Sequence, residues 1–166
     1  MTAMLIRWLI FLHVLSALTF YMAHGTSVAM AFKIRKETDF TRIRAMLDLS
    51  WSTMILMGVS FLIMGLTGII MPFMIHIWNK VWIWASIVLM LFVFIYMAMF
   101  NETSYKQLRR LVGLPYMKGG KELPAEQPSS PEEVAGLLKK TSVTGLVVIG
   151  YIIPTIVLWL MIFKPF

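Results

Sequence analysis

Three histidines are the side chains of this chain best suited to chemistry, and all three lie in long apolar segments. His13 and His24 fall inside the apolar run from Met4 to Phe32, and His76 lies near the end of a second run. In hydrocarbon a polar group without a partner costs several kcal/mol, so an ionisable side chain there is a functional-site hypothesis by default. The histidines therefore mark the first places to look for a site.

The spacing of the first two histidines places them on one face of a helix. They are eleven residues apart, which is three turns plus about 20°, so their axial separation is about 16 Å. Ser16 and Ala17 lie between them, and small residues beside a neutral imidazole leave room for a bulky apolar group such as a tetrapyrrole. Alternatively, the small residues let a neighbouring helix approach, and each histidine only bonds a carbonyl or hydroxyl across that contact.

The third histidine suggests which pair could share a metal. Counted from Trp8 and Trp78, His13 and His76 belong to the same half of the membrane. This predicts one b-type haem with His13 and His76 as axial ligands of the iron. His24 lies deeper with no second histidine at its level, so a cofactor there would need methionine, water or another chain as its second ligand.

Copper is the other metal that the composition suggests. The chain has 15 methionines, whose thioethers are soft ligands for Cu(I), and Met71 and Met74 come shortly before His76. Methionine is also an ordinary filler of irregular apolar interfaces and occurs in every apolar run, so haem is preferred to copper. The absence of cysteine from the sequence excludes thiolate metal sites and disulfides.

The composition is that of a membrane domain. Hydrophobic residues make up 59% of the chain and charged residues 14%, with a mean hydropathy of +0.80, outside the range of soluble domains. The net charge of +7 does not indicate a nucleic-acid partner, because the basic residues flank apolar runs, where they set topology and meet anionic lipid headgroups. We therefore expect one transmembrane domain over residues 1–166 in contact with the lipid bilayer.

Hydropathy predicts an all-α integral membrane four-helix bundle. The expected spans are residues 4–32, 51–78, 81–100 and 143–163, with loops at 33–50 and 101–141. The first loop has the pattern of a short amphipathic helix at the headgroups; within the second loop, residues 118–131 look irregular, and Ser130-Pro131 has the pattern of a helix start.

Packing and orientation can also be predicted from the sequence. Spans two and three should form an antiparallel hairpin, and Gly58, Gly65 and His76 share one stripe that predicts a close-packing face. Asp48, the carboxylate nearest a membrane boundary, should cap the second span or pair with Arg44. Most basic residues are in the two long loops, so the positive-inside rule places both loops in the cytoplasm and both termini outside.

Three stretches carry a resemblance to a known group of proteins. They are Phe11-Leu-His13-Val-Leu-Ser16-Ala17, His24-Gly25 and Arg42-Ile-Arg44-Ala-Met-Leu-Asp48-Leu-Ser50. Together they resemble a family of small predicted bacterial integral membrane proteins of unknown function, and the Leu-His-Val-Leu motif is similar to that of the copper-resistance D group. The resemblance implies a four-helix membrane protein in which His13 matches the family histidine, with b-type haem or copper as candidate ligands. It implies no established activity, and the lack of further outward-facing histidines argues against copper import.

The polar residues favour a non-catalytic role. The sequence shows no buried acidic pair, Ser–His–Asp arrangement or glycine-rich phosphate loop. We therefore predict a small subunit of a larger respiratory or photosynthetic complex in the bacterial inner membrane, with other membrane subunits as partners. Its more specific form is an electron-transfer subunit with one b-type haem. The alternative is a copper, metal or small-solute transport protein, for which the spans offer few polar groups.

Overall fold

The computed structural model describes residues 2–165, and four of its helices are long and apolar enough to cross a membrane. Helix α1 spans Thr2–Ile34, α2 Phe40–Met74 and α3 Val81–Phe100, which continues through a π-helical turn, Asn101–Tyr105, into α4, Lys106–Leu111. Then come strands β1, Tyr116–Lys118, and β2, Lys121–Leu123, and helix α5, Pro131–Lys140. The last span consists of α6, Val143–Val147, a π-helical turn, Val148–Ile152, and α7, Ile153–Phe163. The predicted all-α chain with four candidate spans is confirmed.

The second helix differs from its prediction at both ends. It begins at Phe40, where the Asp39 carboxylate accepts a hydrogen bond from the Thr41 amide at 2.8 Å, so no separate amphipathic helix precedes it. Its 35 residues extend about 52 Å, well beyond a hydrocarbon core of about 30 Å. It ends at Met74 rather than 78, two residues after Pro72, whose ring removes one backbone donor near that end.

The spans pack as two pairs. Helix α1 lies along α2, and α3 lies along the last span, whereas α2 and α3, joined by the turn at residues 75–80, share no comparable interface. The predicted hairpin therefore exists in the chain order but is not a main packing contact. Gly25 brings the last span close to α1, because a Cβ there would lie 2.7 Å from the Tyr151 hydroxyl.

The predicted glycine stripe of α2 is not a packing face within this chain. A Cβ at Gly58 or Gly65 would meet no other described atom within 4 Å. Helix α2 contacts α1 through a different face, on which the Ser27 and Thr53 hydroxyls are 2.7 Å apart. A stripe of small residues predicts close approach only where another helix is present, and here none of the chain's own helices covers it.

One end of the bundle has a small core of its own. We call it the basic end; it consists of residues 35–39 and 101–142 with the adjoining ends of α1 and α2. Its buried side chains are Ile34, Ile43, Leu47, Tyr105, Leu108, Val112, Val134 and Leu138. Part of the segment predicted as irregular is a β-hairpin, because Gly119 and Gly120 both adopt positive φ, +59° and +77°, as a two-residue hairpin turn requires. The predicted helix start at Ser130-Pro131 is confirmed.

Candidate functional site

His13 connects the first two helices. Its Nδ1 lies 3.0 Å from the Met64 carbonyl and 3.0 Å from the Thr67 hydroxyl, and the ring packs on Gly68, where a Cβ would lie 3.1 Å from the imidazole. This is the helix-to-helix hydrogen bond given above as the alternative to a ligand role. Because Nδ1 makes these contacts, Nε2 is left for others. A ligand role is still compatible with this geometry, since metal-ligating histidines commonly donate their second ring nitrogen to a carbonyl.

His76 lies beyond the end of α2 and away from His13. It is exposed, in the turn that follows Met74, with a left-handed φ of +53°. His13 meets α2 at Thr67 and Gly68, and eight further residues along the chain correspond to about 12 Å of helix. The structure does not bring the two imidazoles together, and the haem that they would share stays a prediction from the sequence.

His24 lies at the junction of the two helix pairs. Only 2% of the residue is exposed, and its Nε2 has no hydrogen-bond partner among residues 2–165. The imidazole stacks on Phe20 with a centroid distance of 6.2 Å and contacts Tyr151 at 5.0 Å. It lies directly on Gly150, where a Cβ would overlap the ring and approach the Met97 methyl to 2.8 Å. Gly150 therefore permits α1, α3 and the last span to meet at one point.

A cavity of about 300 Å³ lies between the two pairs, in the half of the bundle nearer the basic end. One face of α1 forms one wall, and α2 and α3 form much of the rest. The α1 wall includes Phe20, His24, Ser27, Val28, Ala31 and Arg35. The cavity is mainly apolar, and its lining includes Phe61 of α2 and Phe94 of α3, which is 53% exposed; their ring centroids are 5.2 Å apart.

Few polar groups reach this cavity. Asn101 lines it from the π-helical turn after α3, and its buried Oδ1 has no hydrogen-bond partner within the described chain. The Tyr105 hydroxyl donates to the Leu47 carbonyl. Arg35 stands at the edge of the cavity, exposed, and forms no ion pair within residues 2–165. A large apolar pocket with a few convergent polar groups is the usual form of a ligand site.

Methionines line the same cavity as His24. Met54, Met57 and Met97 contribute to its walls, whereas Met71 and Met74, the predicted copper cluster with His76, lie at the far end of α2. Among the residues that the structure describes, no group of three or more histidine and carboxylate side chains could hold a metal ion. A metal in the cavity would therefore rely on His24 and thioether sulfur.

The basic end is closed by a charged contact that the sequence did not predict. Arg109 is 8% exposed and its guanidinium donates to the Asp48 carboxylate at 2.9 Å and to the Pro115 carbonyl at 2.9 Å, 5.7 Å from the Trp51 ring centroid. Arg44, the expected partner of Asp48, instead donates to the Val112 carbonyl at 2.6 Å. The cause is tertiary: α4, which continues the helix of α3, brings Arg109 to the Asp48 carboxylate of α2.

Sequence reasoning identified His24 but not the cavity. The sequence spacing places four cavity residues on one face of α1, namely Phe20, His24, Ala31 and Arg35. Spacing alone does not show which helices lie opposite that face. Asn101 was expected to begin a loop, whereas the helix continues through it in a π-helical turn. The cavity depends on how the two pairs diverge, which no local pattern encodes.

Comparison with protein-family models, curated proteins and solved structures gives no match to this chain. Its class therefore follows from the fold alone. Four helices long and apolar enough to span a bilayer indicate a multi-pass membrane protein, and their exposed apolar side chains are consistent with contact to lipid.

Proposed function

We propose that this chain is a non-catalytic integral membrane protein that works by binding an apolar ligand in the cavity between its two helix pairs. The observation that carries the proposal is the mainly apolar cavity of about 300 Å³, whose wall includes the imidazole of His24, 2% exposed. Asn101 also lines the cavity, and its buried Oδ1 has no partner among the described residues; such atoms are rare in folded proteins. An intramembrane imidazole on an apolar pocket fits a binding site.

The test is to ask what the purified protein retains. The protein is isolated in mild detergent, and its small molecules are extracted and identified by mass spectrometry. Ala31→Phe places a ring in the cavity, and Met22→Phe, at a position 74% exposed on the same helix, is the matched control. We expect Ala31→Phe to lower the retained ligand about tenfold or more, equivalent to at least 1.4 kcal/mol, and Met22→Phe to leave it unchanged. Equal retention in both variants, or an empty wild-type protein, would contradict the proposal.

A b-type haem is the second candidate, and the methionines beside His24 favour it. Neutral imidazole and thioether together are a known axial ligand pair of haem in electron transfer, and Met54, Met57 and Met97 share the cavity with His24. A reduced-minus-oxidised visible spectrum, after expression with haem supplied, tests this directly. Bands lost only in His24→Ala place haem in the cavity; bands lost in both His13→Ala and His76→Ala support the pair predicted from sequence. A flat spectrum from folded protein rejects haem.

The wider setting that we propose is a subunit of a larger energy-transducing complex in the bacterial inner membrane. The apolar outer faces of the spans would contact lipid and partner helices, and the positive-inside rule places the basic end in the cytoplasm and both termini outside. Copper or solute transport is the alternative, which the few polar groups of the spans do not favour. Purification without disrupting complexes, followed by identification of the bound subunits, tests the partner prediction.

Cysteine labelling can test the orientation of the protein in the membrane, because the chain itself contains no cysteine that would react. Single cysteines at Gln127 in the basic end and Asn79 in the opposite turn are both exposed positions. We expect an impermeant thiol reagent to label Asn79→Cys in intact cells and Gln127→Cys only after the membrane is opened. The reverse pattern would reject the proposed orientation.

A further inference from the structure

We propose that the ligand of the cavity is an anionic membrane phospholipid, with one acyl chain in the cavity and its phosphate on Arg35. This inference rests on the proposed binding function and names the class of ligand.

The α1 wall gives the cavity an elongated form. Phe20, His24, Ala31 and Arg35 follow one helical face, and the eleven residues from His24 to Arg35 correspond to about 16 Å along the axis. This matches the hydrocarbon depth of one leaflet, half of about 30 Å. A volume of about 300 Å³ holds about ten water-sized groups of about 30 Å³ each, which is room for about ten methylene groups.

The edge of the cavity has one arginine free for an anion. Arg42 lies 3.7 Å from Glu37 and from Asp39, and Arg109 pairs with Asp48, whereas Arg35 makes no ion pair with any described residue. Arg35 is the first residue after the end of α1, so its guanidinium is expected at the level of the lipid headgroups. Arginine matches phosphate oxygens with two parallel donors, and basic pockets between membrane helices bind anionic headgroups.

The route that we infer for a lipid into the cavity lies between α2 and α3. Helices α2 and α3 share no extensive interface, and both contribute to the cavity lining, with Phe61 from α2 and the half-exposed Phe94 from α3. Gly58 also lines this side, and a Cβ there would meet no other described atom within 4 Å. An acyl chain can therefore enter sideways from the bilayer without passing a polar barrier.

The experiment compares two lipids in the full-length protein. The protein is reconstituted in vesicles that contain phosphatidylglycerol or phosphatidylcholine with a photoactivatable diazirine in one acyl chain, and the cross-linked peptides are mapped by mass spectrometry. We expect cross-links on the cavity walls, including the α1 face, at about fivefold higher yield for phosphatidylglycerol, the factor expected for one basic residue at an anionic headgroup. Cross-links on the outer faces report surrounding lipid and serve as the internal reference.

Two variants assign the preference to one side chain. Arg35→Gln should bring the cavity cross-links of the two lipids to near parity, and Lys36→Gln, which removes the neighbouring exposed charge that does not line the cavity, should keep the preference. Equal yields in the wild type, or a preference that survives Arg35→Gln, would overturn the lipid assignment. If the cavity gives no cross-links but an Ala31→Phe-sensitive ligand or a haem band is found, only the lipid assignment fails. If neither is found, the binding function fails as well.

Discussion

The imidazole of His24 lies against Gly150, so closely that a Cβ at residue 150 would overlap the ring. The contact joins α1 to the π-helical turn of the last span, and it is one of the few places where the two helix pairs meet. Three more glycines are contacted by a ring-bearing side chain of another helix: Gly25 and Gly145 each contact a tyrosine, and Gly68 contacts His13. At these four positions a glycine lets an aromatic side chain of the facing helix approach the backbone closely.

Gly150→Ala should destabilise the bundle. The added methyl group must displace His24 or Met97, and overpacking of this kind costs about 1–3 kcal/mol. Thermal unfolding in detergent, followed by circular dichroism, measures the loss. Gly65→Ala is the matched control, because its Cβ meets no described atom within 4 Å and alanine is favoured over glycine inside a helix by about 0.5–1 kcal/mol. A Gly150→Ala protein as stable as the Gly65→Ala protein would refute the contact.

His13→Ala should weaken the contact between α1 and α2. The variant removes a hydrogen bond to α2, which in membrane proteins contributes about 0.6 kcal/mol on average and about 1.7 at most, and it also loses packing on Gly68. His76→Ala, at an exposed turn position, should change the free energy of unfolding by less than about 0.5 kcal/mol. Chemical denaturation of both variants in the same detergent makes the comparison; similar losses would argue against the difference in their environments.

Arg109→Met should loosen the basic end. It leaves the Asp48 carboxylate and Pro115 carbonyl without their donor, and hydrogen bonds to charged groups contribute about 1.5–3 kcal/mol; the half-exposed Asp48 side chain favours the lower part of that range. Arg110→Met is the control, because its pair with Glu126, 3.6 Å apart, is about half exposed on both sides and such pairs contribute about 0–1 kcal/mol. Limited proteolysis should cut Arg109→Met faster between residues 112 and 130. Equal cutting of the two variants would contradict the role of Arg109.

Glu37 should give the turn between α1 and α2 a dependence on pH. Hydrogen bonds from the Asp39 and Thr38 amides, and then the charge of Arg42, lower the pKa of Glu37 below its ordinary value of 4.5. A lowered folded-state pKa stabilises the fold above the ordinary value, and this contribution is lost as the pH falls through the lowered pKa. The wild-type protein should therefore have a higher melting temperature than Glu37→Gln at neutral pH, and the difference should shrink as the pH is lowered. Glu122→Gln, in an exposed strand position, should show no such change.

Much of the architecture follows from local signals. The apolar runs predict the number of spans and nearly all of α3 and the last span, and Ser130-Pro131 predicts where α5 begins. The start of α2 was missed because the amphipathic pattern of residues 40–50 is compatible with a helix at the headgroups as well as with the exposed first turns of a longer span. The hairpin at Gly119-Gly120 was missed because glycine pairs mark turns without showing that short strands flank them.

The four helices that are long and apolar enough to cross a membrane were predictable from the sequence, because hydropathy and length act locally and need no partner helix. The sequence also marked His13, His24 and His76 together, since an ionisable residue in an apolar run is conspicuous wherever the run folds. Three relations required the folded structure: His13 hydrogen-bonds to α2, His76 lies apart in a turn, and His24, Asn101 and Arg35 line one cavity. Those relations depend on which helices pair and how far the pairs diverge, and that is set by packing between residues distant in the chain.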